Sequence, residues 1–312
     1  MHTEVYDTTR NIRIVSEPFL QSITNIFIEH YFRDEYANTL FLINVGLSLI
    51  NYDGMDYSKY SRIVYYNLEH LEVGICYTTI FLDNILEYLK AIGGEWWDFC
   101  IENLDILKNH TSLNKEPQFV PVRFSSYNTN KRGNADKFID CGFVGSFQRF
   151  YAIRRLEFLQ LLSETAAQPD RNKSFSFMVG KSIGDMQSLD NCRWVLDTQS
   201  VKTDGSTQNQ VRIFEYISLG YSVIVEDIDG INYFPGMVET LHLPKQELLK
   251  GGGMSVGDEY EFRVGIEELY NILDKEPHNY VEQYKAMTYT DEAYERYRQD
   301  MVAQYKALKK TP

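Results

Sequence analysis

The chain has 312 residues, 44% of them hydrophobic and 14% aromatic, and a formal net charge of −13. That length suits two domains of ordinary size, each with its own core. The acidity is even: residues 1–137 hold 12 Lys+Arg against 18 Asp+Glu (−6), the remainder 19 against 26 (−7), which argues against tight, nonspecific binding to nucleic acid or anionic membranes. No apolar run reaches ~18 residues, so no membrane span is expected. The N-terminus, MHTEVYDTTR, is polar and acidic, unlike a secretory signal. Cys76, Cys100, Cys141 and Cys192 have no CxxC spacing. They point to reduced thiols in a cytoplasmic protein and to no metal site. The basic cluster Lys306, Lys309 and Lys310 reads as a helix end that favours cations.

Asn11–Val15, Thr39–Ile43 and Ser61–Tyr66 read as strands, each short and β-branched or aromatic. They end in polar groups: Glu17 with Pro18, Asn44, and Glu69 with His70. This is the pattern of a parallel sheet whose functional edge lies at the strand C-termini. Residues 76–92 form an amphipathic helix with Leu82, Ile85, Leu86, Leu89 and Ile92, stopped by Gly93-Gly94. A further helix runs to about Lys108, and Phe119–Phe124 reads as a strand. Residues 128–136, polar and Gly-containing, read as a linker.

Phe138–Val144 opens a second series of strands and runs through Gly145-Ser146 into a helix with Ile153, Leu156, Leu159 and Leu162 along its apolar side. The Gly-Ser turn is either a phosphate cradle at a helix start or a plain strand-to-helix turn. Phe175–Val179, ending in Gly180-Lys181, and Cys192–Leu196, ending in Asp197-Thr198-Gln199, are the next strands. A short amphipathic helix then starts at Ser206-Thr207, with Val211, Phe214, Ile217 and Ser218 on one side. Gly220 stops it with a left-handed turn, and Ser222–Glu226 is a buried strand. Gln208, Arg212, Glu215 and Leu219 share one helical stripe. Arg there favours phosphates and Glu accepts from ribose hydroxyls, although spacing alone also fits a solvated ion pair. The loop Lys250–Ser255 lacks the P-loop pattern. Val264, Ile266, Leu269, Ile272 and Leu273 mark a helix. Thr290 caps a last one carrying Tyr294, Tyr297, Met301, Val302, Tyr305 and Leu308.

The run Arg212-Ile-Phe-Glu215 through Gly220 to Glu226 matches R-x-F-E-x-x-x-x-G-x-x-x-x-x-E. It resembles the nucleotide-binding segment of GT-B-fold glycosyltransferases, in the version of the spore-maturation-protein-like and related bacterial and phage enzymes. Three further stretches are similar to that family and occur in its order. They are Ile63–Leu71 (IVYYNLEHL), Glu95–Asn103 (E-x-W-D-x-x-x-x-N) and Val120–Ser125 (VPVRFS). The resemblance implies an α/β fold of two Rossmann-like domains facing each other across a cleft. Their expected extents are 1–136, completed by a returning helix 288–312, and 137–287. It implies that Glu215 holds the ribose of a sugar nucleotide. Many retaining members carry a second Glu eight residues earlier, where this chain has Thr207.

In such a cleft the second domain would offer Ser146, Lys181, Gln199, Arg212 and Glu215 to an anionic nucleotide. The first would offer Glu69, His70 and Glu17, with Asn44, to an acceptor hydroxyl. The candidate base is Glu69 or His70, with Glu17 third; strand alternation lets only one of the adjacent pair point inward. Asp227-Ile-Asp229 has DxD spacing but reads as loop, so neither a metal nor a cofactor is expected. The expected activity is transfer of a sugar from a nucleoside-diphosphate sugar, a UDP-sugar first. The acceptor is a glycan, a lipid-linked sugar, a protein or a modified DNA base. Alternatives are a sugar-nucleotide epimerase and a non-catalytic scaffold on a degenerate fold.

Overall fold

The computed structural model describes residues 3–17, 20–45, 55–71, 79–108, 113–128, 137–145, 153–179, 189–198, 210–228, 230–246 and 257–310. The chain divides into two compact units, Met1–Asn128 with Met287–Pro312, and Thr129–Ala286. The expected linker, apart from Asn128, lies outside the described residues, as does the loop Lys250–Ser255.

The sheet of the first unit contains β1 (Thr3–Asp7), β2 (Ile12–Ser16), β3 (Thr39–Ile43), β4 (Arg62–Asn67), β5 (Glu95–Asp98) and β6 (Gln118–Phe119), in that order. β1 pairs antiparallel with β2, and the rest are parallel. Helix α1 (Gln21–Tyr31) lays Phe27 on one face, 5.1 Å from the rings of Phe41 and Tyr66. Helix α2 (Thr79–Ala91) brings Leu82, Ile85, Leu86 and Leu89 to a core with Leu40, Leu42, Tyr65 and Trp96. A short helix, α3 (Ile101–Lys108), follows β5.

Several elements differ from expectation. α1, absent from the expected elements, holds three Ile and one Thr, poor helix formers whose packing overrides propensity. β6 stops at Phe119 because Pro121 has no N–H for a ladder. The residues after it are held differently: Arg123 donates to the carbonyls of Thr288 (3.2 Å) and Tyr289 (2.6 Å), and the Phe124 N–H to Thr288 Oγ1 (3.0 Å).

The sheet of the second unit contains β7 (Ile139–Gly145), β8 (Phe175–Val179), β9 (Cys192–Asp197), β10 (Ser222–Glu226) and β11 (Val238–Leu241). All are parallel, in the order β11-β10-β9-β7-β8. The order therefore reverses between β7 and β9, the topological switch point of an open α/β sheet. Helices α4 (Ile153–Ala166), α5 (Gln210–Ser218) and α6 (Glu259–Leu273) belong to this unit. Phe158, Leu162, Phe262, Ile266 and Leu269 pack with Phe143, Trp194, Leu196 and Ile224 in its core.

Two helices correct the sequence reading. In α4, Ile153 and Leu156 are 47% and 51% exposed, and Arg154 and Arg155 are buried instead. α5 is covered on all sides, its polar face included: every residue but Arg212 is buried. Its Phe214 is covered by Tyr284 of α7 (Val281–Thr288), ring to ring at 5.9 Å, and Phe234 packs on the same tyrosine. Gly220 ends the helix region at φ +81°, as its sequence suggests.

The last helix, α8 (Asp291–Leu308), is capped by Thr290, whose side chain accepts the Ala293 N–H. It belongs to the first unit, where Tyr294 donates to the Pro121 carbonyl at 2.6 Å and stacks on Arg123 at 4.4 Å. No helix among the described residues is long and apolar enough to cross a membrane.

Candidate functional site

The two sheets present their strand C-termini as separate polar edges. At the edge of the second sheet, three arginines converge from α4 and α5. Arg154 forms a bidentate pair with Glu226, the last residue of β10, at 3.0 and 2.7 Å. These side chains are 1% and 0% exposed. Arg154 also donates to the Pro244 carbonyl at 2.7 Å. Arg155 turns to β9, donating from Nε to Thr198 Oγ1 at 3.1 Å and from Nη2 to the Thr198 carbonyl. Arg212, in the first turn of α5, donates to Asp197 Oδ1 at 3.1 Å.

Burial dominates the electrostatics here. It pushes Arg155 down to about 10, helped by the neighbouring Arg212 charge and opposed by Asp197. It also pushes Asp197 up, against the pull of Arg212 and Arg155. Arg212 is raised on balance: burial works against its charge, and Asp197, with Tyr216 and Glu215, outweighs it. Glu215 lies one turn along α5 and is buried as well. The pairing of Arg212 with Asp197, both largely buried, replaces the solvated Arg212–Glu215 pair that spacing allowed. Ser146, Lys181, Gln199 and Thr207 lie outside the described residues.

At the edge of the first sheet, polar groups gather around Asp98, the last residue of β5. Its carboxylate accepts from Trp96 Nε1, Asn67 Nδ2, Asn103 Nδ2 and the Cys100 N–H, each at 2.9 Å. Burial pushes Asp98 up to about 7, although those four bonds pull it down. Asn67 and Asn103 also donate to the Glu69 carbonyl, at 2.7 and 2.8 Å. This fixes the bend that carries Glu69 and His70. β4 ends at Asn67, so the alternation expected for Glu69 and His70 on an extended strand does not apply. Asn44 Nδ2 reaches Glu69 Oε1 at 3.3 Å, from a left-handed backbone at φ +49°. The His70 ring packs 5.1 Å from Phe99. Glu17 follows β2 at the same edge, where its carbonyl accepts the Leu20 N–H at 3.0 Å.

Sequence reasoning missed Asp98, Asn67 and Asn103 as a loop-holding set, although Asp98 and Asn103 are fixed positions of the Glu95–Asn103 motif. It also missed Arg154 and Arg155. Asp227 follows β10 as loop, and its Oδ2 lies 2.6 Å from His242 Nδ1; Asp229 is outside the described residues. Among the described residues no group of three His, Cys, Asp or Glu is placed to hold a metal ion.

No family model and no curated protein matches this chain. Among solved structures it is similar to TarM, with 9% identity over 98% of this chain and 60% of that one, at a TM-score of 0.45. It is also similar to Anabaena Alr3699/HepE in complex with UDP (11% identity, 95% and 82% covered, TM-score 0.45). A third is a UDP-forming trehalose-phosphate synthase from Burkholderia xenovorans (8%, 93% and 74%, 0.46). The chain spans about three fifths of the length of TarM.

Proposed function

We propose that this chain is a glycosyltransferase that moves a sugar from a UDP-sugar to a hydroxyl of a glycan. The observation that carries this reading is the meeting of the R-x-F-E motif with the switch point of the second sheet. Arg212 is fastened to the last residue of β9, beside the reversal with β7, with Glu215 one turn further on. Ligands of open α/β sheets bind at such a point. Arg212 then meets the diphosphate, and Glu215 accepts from the ribose hydroxyls. Ser146, Lys181 and Gln199 complete the donor site by their positions in the sequence.

Glu69, steadied by Asn44, is the base in this reading, with His70 and Glu17 as the other candidates. It takes the proton of the acceptor hydroxyl as that oxygen bonds to the anomeric carbon. The bond from that carbon to the diphosphate breaks, and the leaving oxygen takes its electron pair. Arg212 offsets the charge that develops there, so protein cations stand where a metal would otherwise serve. The net charge of −13 favours a glycan over DNA as acceptor.

Thermal shifts with UDP, GDP, CDP, ADP and TDP test the reading. UDP at ~100 times its Kd should add about 2.7 kcal/mol of stability, and Glu215→Ala should lose that gain. No shift with any nucleotide would discard the donor site and favour a non-catalytic binding protein.

A further inference from the structure

We propose that Asp197 and Thr198 are positioning residues that make the donor site selective for a diphosphate, by fixing two guanidiniums at the switch point. This rests on the donor-site reading and names what aims its cation. Asp197 and Thr198 are themselves too buried to meet a ligand. Arg212 is the one residue of α5 that is not buried, and its side chain keeps 14% exposure. Its Nη1 is tied to Asp197 Oδ1, so the carboxylate sets where the exposed part of the guanidinium sits.

Arg155 comes to the same strand end from α4 and clamps Thr198 through both its hydroxyl and its carbonyl. Its ring-facing side lies 5.5 Å from Phe143 on β7, so it spans the two strands between which the order reverses. Arg155 is buried and acts through Thr198 and through its field. Burial first, and the neighbouring Arg212 charge second, pull the Arg155 titration down. A partly exposed guanidinium aimed by this strand end, with the buried Arg155 charge behind it, favours a ligand with charge on adjacent phosphates over an uncharged nucleoside.

Calorimetric titration of UDP and uridine into the full chain tests this. Asp197→Asn should weaken UDP at least tenfold and leave uridine within twofold, because only the aim of Arg212 is lost. Asp197→Glu should recover part of the UDP affinity. Thr198→Val, a milder change that carries the test if Asp197→Asn does not fold, should weaken UDP about threefold with uridine unchanged. Equal losses of UDP and uridine would mark a structural role and overturn the proposal, as would no loss of either. If the wild type binds neither, the donor-site reading falls and this inference with it. If the wild type binds UDP and the variants match it, only the positioning role falls.

Discussion

The C-terminal edges of the two sheets bury polar groups by different means. In the second unit the groups are ionic: Arg154 with Glu226, Arg212 with Asp197, and Arg155 on Thr198. In the first unit they are amides, Asn67 and Asn103, gathered on one carboxyl that burial pushes up to about 7. Ionic edges are strong only while every charge is matched, since an unmatched buried charge is costly. The amide edge gathers neutral donors on a single carboxyl and holds a loop in place.

Breaking the ionic edge should have the largest effect. Glu226→Ala leaves the Arg154 guanidinium buried without its carboxylate and should cost about 3–5 kcal/mol in urea denaturation. The double replacement Arg154→Met with Glu226→Leu should fall within ~2 kcal/mol of the wild type, because it buries no charge at all.

Titration sharpens the amide edge. Folded Asp98 titrates at about 7, against 3.8 for the ordinary carboxyl, so the folded state keeps a proton that the unfolded chain releases. Its contribution to stability is full below about pH 4 and is lost as pH rises towards 7. His30 opposes it. Burial, with Arg123 nearby, pushes His30 down to about 4 while its Nε2 donates to the Phe124 carbonyl at 2.7 Å. Its contribution is full above about pH 6.5 and is lost as pH falls towards 4. The two slopes, each up to ~1.4 kcal/mol per pH unit, should nearly cancel in the wild type. In Asp98→Asn the melting temperature should fall on acidification between pH 6.5 and 4. In His30→Gln it should fall as pH rises over the same window. Parallel curves for all three proteins would refute both assignments.

The smallest effect is expected from Asn67→Ala. It removes donors to Asp98 and to the Glu69 carbonyl and should cost ~1–3 kcal/mol. UDP affinity should stay within twofold, since that network lies in the other unit.

The strands were largely legible because buried parallel strands read as short β-branched runs with polar ends. β3 and β10 coincide with the ranges expected for them. β1 was hidden by its alternation of half-buried and exposed residues, which suits a sheet edge. The buried arginines were not legible. Arg154 and Arg155 look like surface residues beside Ile153 and Leu156. What draws them inward is Glu226 and Thr198, 72 and 43 positions away. Local periodicity holds no trace of partners at that distance. Arg212, Glu215 and Asn44 stand in the elements, or at the strand end, where the sequence put them. Asp98 could not be read in that way, because its role depends on a loop from the neighbouring strand.

The first unit is assembled from two stretches, Met1–Asn128 and Met287–Pro312. A ribosome delivers the first stretch long before the second. Until Thr288, Tyr289 and Asp291 emerge, Arg123 lacks its acceptors, and the seat of Tyr294, Tyr297 and Met301 stands open to solvent. Residues 129–286, by contrast, arrive as one uninterrupted run. The first unit is therefore completed only after the second has emerged, and until then the nascent chain carries an incomplete apolar surface, a natural target for chaperones.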